Sequence, residues 1–152
     1  MSAALVFVTG GSSGIGAAMI AALPFPGARV INFSRRPAAG TEHVAVDLAD
    51  PAEWPRVAST FESALRGLYQ RNVLLNSAAP QVLGDAFLRA LHGISARADL
   101  LFIGSGASRS VYEGWSGYCA GKAAVDHWTR TAGAEQTRRG DRRRILCVAP
   151  GV

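Results

Sequence analysis

Apolar and polar positions fall into short blocks that alternate between a strand-like and a helix-like period along the chain. Ala3–Thr9 is a continuous β-prone apolar run ending at a glycine pair, the pattern of a strand buried on both faces. Ile15–Leu23 follows as a helix, stopped by Pro24 and Pro26. Arg29–Phe33 and the shorter His43–Val46 read as the second and third strands. Asp50 is placed to cap a helix starting at Pro51, with Trp54, Val57, Phe61, Ala64, Leu65 and Leu68 at three- and four-residue spacing as its inner face. Asn72–Leu75 is a fourth strand, and Asp85–Arg97 a helix with Phe87, Leu88 and Leu91 inward. Asp99–Ile103 is a fifth strand, a long helix runs from about Gly117 to Arg138, and Arg144–Val148 is a sixth strand. Alternation at such intervals predicts α/β architecture, and right-handed crossovers make it a doubly wound parallel sheet with strand order 3-2-1-4-5-6.

The 152 residues suit one domain spanning 1–152, and a composition 49% hydrophobic and 18% charged excludes a disordered tail or a disulfide-dense scaffold. No apolar run approaches the ~20 residues that span a bilayer, so no membrane role is expected. Ala3–Val8 is too short for a signal peptide and lacks a basic start. Cys119 and Cys147 lie far apart without zinc or redox spacing, and read as buried, reduced thiols of a cytoplasmic protein. His43, His92 and His127 show no metal-ligand spacing, so no metal is expected. The net charge of +5 owes much to Arg138, Arg139, Arg142, Arg143 and Arg144. With no aromatics interleaved, that cluster reads as a solvated helix end and loop rather than a nucleic-acid surface.

Candidate chemistry begins at Gly10-Gly11-Ser12-Ser13-Gly14-Ile15-Gly16, between the first strand and first helix. A dinucleotide pyrophosphate needs bare N–H groups at a helix N-terminus, and glycines at 10, 14 and 16 allow the tight turn and the close approach. Twenty residues beyond Gly14, where an acid would hold the ribose hydroxyls of NAD, stands Ser34-Arg35-Arg36. Guanidinium groups there favour a 2′-phosphate, hence NADP(H), unless they are simply solvated loop charges. Asp47, past the third strand, is placed either to accept from the adenine amino group or to close a turn. Asn76 is placed to tie neighbouring strands together.

Tyr118 and Lys122 are four residues apart on the long helix and share a face. A phenol titrates near ~10, and a neighbouring ammonium favours the phenolate, so the pair can work as a proton donor at neutral pH. Lys122 is the chain's sole lysine. Ser105, at the exit of the fifth strand, reaches the same carboxyl edge and can donate to a substrate oxygen.

Thr9-Gly-Gly-Ser-Ser-Gly-Ile-Gly16, Asp47, Asn76-Ser-Ala-Ala79, Ser105, Tyr118-Cys-Ala-Gly-Lys122 and Pro150-Gly151 occur in that order. Together they resemble the short-chain dehydrogenases/reductases across almost the whole chain. Gly104–Ala107 and Gly114–Ala124 look like the sepiapterin reductase and benzil reductase branch. The resemblance implies a Rossmann-type NADP(H)-binding domain that reduces a small-molecule carbonyl. Tyr118 would be the acid, Ser105 would polarise the carbonyl, and Lys122 would tune Tyr118 and grip the nicotinamide ribose. Cofactor contacts carried over are Gly10, Ser12, Ser13, Gly14, Ile15, Gly16, Ser34, Arg35, Arg36, Asp47, Leu48, Asn76, Ala78, Tyr118, Lys122, Pro150 and Gly151. The family commonly assembles as homodimers or homotetramers through the helix before the fifth strand and the Tyr–Lys helix.

Three departures stand out. The family's catalytic asparagine, in the helix between the fourth and fifth strands, has no counterpart, since the asparagines are Asn32, Asn72 and Asn76. Asp85 is expected to be a helix cap rather than its substitute. The segment from Asn76 to Ser105 is also shorter than the family's, and the pattern stops at Pro150-Gly151, so the last strand and the substrate-binding helix are expected to be missing. A silent NADP(H)-binding module, or an interaction partner of full-length relatives, is the competing reading.

Overall fold

The computed structural model describes residues 4–77 and 81–150. Six strands form one parallel sheet: β1 (Ala4–Thr9), β2 (Arg29–Ser34), β3 (Glu42–Ala45), β4 (Arg71–Asn76), β5 (Arg97–Ile103) and β6 (Arg143–Val148). Their order is β3-β2-β1-β4-β5-β6, as the alternation predicts. The helices between them are α1 (Gly14–Ala21), α2 (Trp54–Ala64), α3 (Gln81–Ala90) and α4 (Ser116–Arg138). None is long and apolar enough to cross a membrane among the described residues.

Strand pleating sends alternate side chains to opposite faces. Leu5 and Phe7 of β1 point toward α2, α3 and α4, whereas Ala4, Val6 and Val8 meet Met19 and Ile20 of α1 and Leu23 beyond it. On the first face Phe61 is fully buried, with its ring edge-on to Phe7 at 4.9 Å, Phe87 at 5.3 Å and Phe33 at 5.4 Å between centroids. On the second face α1 packs over β1 and β4, and Leu146 and Val148 of β6 remain exposed.

Element boundaries moved where tertiary contacts outweigh local pattern. Asp50 caps as expected, accepting from the Ala52 N–H at 2.9 Å, but it starts a 3-10 turn over Pro51–Glu53 before α2 begins at Trp54. Leu68 lies beyond α2 and is 78% exposed, not inward. The helix expected over 85–97 is α3 over 81–90, because Gly93 takes φ +78° and residues from Arg97 pair with β4. Asp85 is therefore not a cap. It lies mid-helix and accepts from the Trp128 indole N–H at 3.3 Å, tying α3 to α4. Gly84 lets the helices approach, since a Cβ there would lie 2.5 Å from Trp128.

The arginine cluster is not wholly solvated. Arg143 has a side chain only 9% exposed and donates to the Leu91 carbonyl at 2.7 Å, closing the end of α3 against β6. Arg144 donates to Asp99 at 2.6 Å across β5 and β6. Both cysteines are half-buried and unpaired, and burial is the main cause pushing the Cys147 thiol upward, toward an inert protonated form.

Candidate functional site

All five loops leaving β1 to β5 open at the carboxyl edge, and strand order reverses between β1 and β4, where open α/β sheets bind ligands. That junction is latched. Thr9 donates to Asn76 Oδ1 at 2.9 Å, the Ser77 N–H donates to Thr9 Oγ1 at 3.1 Å, and the Ser77 hydroxyl donates to the Thr9 carbonyl. Asn76 is thus the strand tie expected of it. Ala78 and Gly151 lie outside the described residues, and Pro150, at the exit of β6, is exposed.

The glycine turn depends on its glycines. Gly10 and Gly14 adopt φ +71° and +54°, a region that side chains disfavour. Gly16 presses against the turn, and a Cβ there would lie 2.2 Å from the Gly10 carbonyl oxygen. The N–H groups of Gly10 and Gly11 are not bare: they donate at 2.9 Å to the Phe33 carbonyl and to Asn32 Oδ1. Free donors at the turn come instead from the first turn of α1, whose N–H groups have no intrahelical partner. Gly16→Ala should displace the turn, with nucleotide affinity falling at least about tenfold and a stability cost of roughly 1–3 kcal/mol. Fluorescence titration and thermal melts check both.

Beside the turn is a cleft of about 380 Å³ lined by Gly10, Ser12, Ser13, Ser34, Arg35, Arg36, Val46, Asp47, Leu48 and Ala49. Arg35 and Arg36 are exposed, and neither guanidinium has a hydrogen-bond or ion-pair partner among the described residues. Asp47 closes a turn by accepting from the Ala49 N–H at 3.0 Å, and also lines this cleft. A wall of hydroxyls and unpaired guanidiniums can receive a phosphate, and the buried Leu48 offers an apolar rim. Larger clefts lie at the opposite, amino edge around Arg71, Arg97 and Arg142, remote from Tyr118.

At the other end of the crevice, the Lys122 ammonium donates to the Ile103 carbonyl at 2.8 Å and lies 5.7 Å from the centroid of the Tyr118 ring. It therefore bridges α4 to the exit of β5, two residues before Ser105. Ser105 caps a short 3-10 turn (Gly106–Ser108), accepting from the Ala107 N–H at 3.2 Å, which leaves its own hydrogen free to donate. Tyr118 is 48% exposed, with Trp115 edge-on to it at 5.6 Å and Tyr112 at 5.5 Å from Trp115. Ile15 stands half-exposed at the start of α1.

Sequence reasoning missed three residues near the site. Asn32, fully buried in β2, holds the glycine turn, and its one signal was an amide inside the apolar run Val30-Ile-Asn-Phe33. Tyr112 and Trp115 precede α4 with no periodicity to reveal them.

A parallel sheet with a glycine turn after β1 and a Tyr–Lys helix before β6 defines the class of doubly wound, dinucleotide-binding-type proteins. The family model for short chain dehydrogenases matches residues 56–152, and the chain belongs to that family. Over 83 residues, 55% of this chain, it is 37% identical to the benzil reductase ((S)-benzoin forming) of Bacillus subtilis. That stretch is 34% of the relative's length, so the match spans about a third of it. A short-chain dehydrogenase/reductase from Burkholderia vietnamiensis superposes with TM-score 0.81 at 26% identity, covering 98% of this chain and 85% of that one. An NAD(P)-dependent gluconate 5-dehydrogenase homologue from Beutenbergia cavernae, with bound NADP, superposes with TM-score 0.80 at 25% identity, covering 99% and 73%.

Proposed function

We propose that this chain carries the NADP(H) site and proton-donor machinery of a cytoplasmic carbonyl reductase acting on ketones or diketones. The carrying observation is the Tyr118–Lys122 pair, with the Lys122 ammonium facing the Tyr118 ring and anchored on the Ile103 carbonyl, two residues before Ser105. The dinucleotide, when bound, supplies the hydride that the carbonyl carbon accepts. Ser105 donates its free hydrogen to the carbonyl oxygen and draws charge onto it. Tyr118 delivers a proton to that oxygen as it becomes an alkoxide, completing the alcohol. Lys122 supports the phenolate left behind. The half-exposed Tyr118 can take its proton back from solvent directly, which suits a chain without the family's asparagine in α3. Trp115 beside Tyr118, with Tyr112 against Trp115, offers aromatic surface to an aromatic substrate, consistent with the named activity of the Bacillus subtilis relative.

Arg35 and Arg36 support NADP(H) over NAD(H), because two unpaired guanidiniums line the cleft beside the glycine turn. Each charged hydrogen bond contributes ~1.5–3 kcal/mol, so Arg35→Gln and Arg36→Gln should each narrow the ratio of NADPH to NADH affinity by roughly 10- to 100-fold. Fluorescence titration with both nucleotides, followed by turnover on benzil, tests the reading. Tight NADPH binding without oxidation would favour a silent NADP(H)-binding module, a reading that the asparagine-free α3 also supports. No affinity for either nucleotide would overturn both. Family precedent adds a homodimer or homotetramer to this proposal, and gives no place to nucleic acid.

A further inference from the structure

Beneath the proposed cofactor cleft runs a hydrogen-bond chain, buried at Asn32 and part-buried at Arg36, that connects the two loops a dinucleotide would touch. Asn32 Oδ1 accepts the Gly11 N–H at 2.9 Å, Asn32 Nδ2 donates to Ser34 Oγ at 2.9 Å, and the Ser34 hydroxyl donates to the Arg36 carbonyl. Each link has one allowed direction. The Gly11 N–H can only donate, so the amide oxygen must face it, and the Asn32 NH₂ must then face Ser34. Ser34 accepts from that NH₂ and has its single hydrogen left for the Arg36 carbonyl. The Ser34 carbonyl in turn accepts from the Val46 N–H at 3.1 Å and from His43 Nε2 at 2.8 Å, so this imidazole nitrogen carries the hydrogen. Gly11 has no room for a Cβ because the position would be 2.6 Å from Asn32 Oδ1. The glycine turn and the arginine turn are thus parts of one assembly with Asn32 fully buried at its centre.

We propose that Asn32 is a positioning residue for cofactor selectivity: through Ser34 it sets the backbone at Arg36, and so makes recognition of a 2′-phosphate depend on the shape of the pyrophosphate turn. The inference rests on the NADP(H) reading above and adds a residue that would touch no part of the nucleotide. Buried, directional chains of this kind have few alternative arrangements, because an unmade hydrogen bond there leaves a polar group without water.

The test is a double-mutant cycle read as the ratio of NADPH to NADH affinity. Asn32→Asp keeps an acceptor for Gly11 but replaces the NH₂ with an oxygen, which draws the Ser34 hydrogen away from Arg36. Ser34→Ala removes the same link directly. Each single change should narrow the ratio by roughly fivefold, the worth of one neutral hydrogen bond. The double variant should narrow it little further, because both break one chain. Ser34→Thr keeps the hydroxyl and should restore most of the preference. Additive effects, or a Ser34→Ala ratio equal to wild type, would overturn the relay even where NADPH binds tightly. A merely structural role would lower the melting temperature and both affinities together without moving the ratio. Should Asn32→Asp fail to fold, Asn32→Ala, which also lacks the donor to Ser34, takes its place in the cycle. A wild-type chain binding neither nucleotide overturns the cofactor reading, and the relay with it.

Discussion

Tyr118→Phe should lower turnover on benzil by about 10²- to 10⁴-fold, the range over which positioned general acids contribute. The substitution removes one oxygen and keeps the ring that Trp115 meets edge-on and that Lys122 faces. Tyr118 is 48% exposed and contributes little to the core, so the melting temperature should stay within a few degrees. NADPH titration of the same variant separates chemistry from binding, since the cleft beside the glycine turn contains no atom of Tyr118. A variant that binds NADPH and turns over at the wild-type rate would place the proton donor elsewhere. Even the lower bound corresponds to about 2.7 kcal/mol of transition-state stabilisation from a single hydroxyl.

The second large effect concerns stability. Phe61→Ala should cost about 3–5 kcal/mol, measured by urea or thermal unfolding, against a total of ~5–15 kcal/mol for a domain. Phe61 is fully buried and edge-on to Phe7, Phe33 and Phe87, so its removal opens a cavity that three other rings line and cannot all close. Phe61→Leu keeps much of the volume and should cost about 1.5 kcal/mol or less. A loss below about 1.5 kcal/mol for Phe61→Ala would mean that the cluster is not the centre of the core. β1 and β2 supply Phe7 and Phe33, so the cavity sits directly beneath the strands that hold the glycine turn. Nucleotide affinity should therefore weaken together with stability.

Much of the fold was legible because its signals are local. Continuous apolar runs marked β1, β2 and β4 to within a residue or two at either end, since a strand covered on both faces has no polar side to show. The Asp50 cap was equally plain, as it depends on a side chain and an N–H two residues on. Helix α3 was misplaced because its limits are set elsewhere: Gly93 turns the chain, and β4 recruits the residues from Arg97. Asp85 looked like a cap by spacing, yet its partner Trp128 lies 43 residues away. Arg143 looked solvated within a run of arginines, until the end of α3 supplied the Leu91 carbonyl, 52 residues away.

The candidate site divides along the same line. Residue types and their spacing along the chain were enough to single out the glycines at 10, 14 and 16, the arginines at 35 and 36, and the Tyr118–Lys122 pair, since these rest on backbone conformation, distance from Gly14 and helical repeat respectively. What joins them was decided by the sheet. Parallel pairing sets Thr9 beside Asn76, brings the exit of β5 within reach of Lys122, and folds Asn32 under Gly11. Those contacts link residues between 19 and 67 positions apart, and no local preference encodes them. Local propensity acts over a few residues, whereas hydrogen bonds between strands form only after the chain has closed its loops and excluded water from between them.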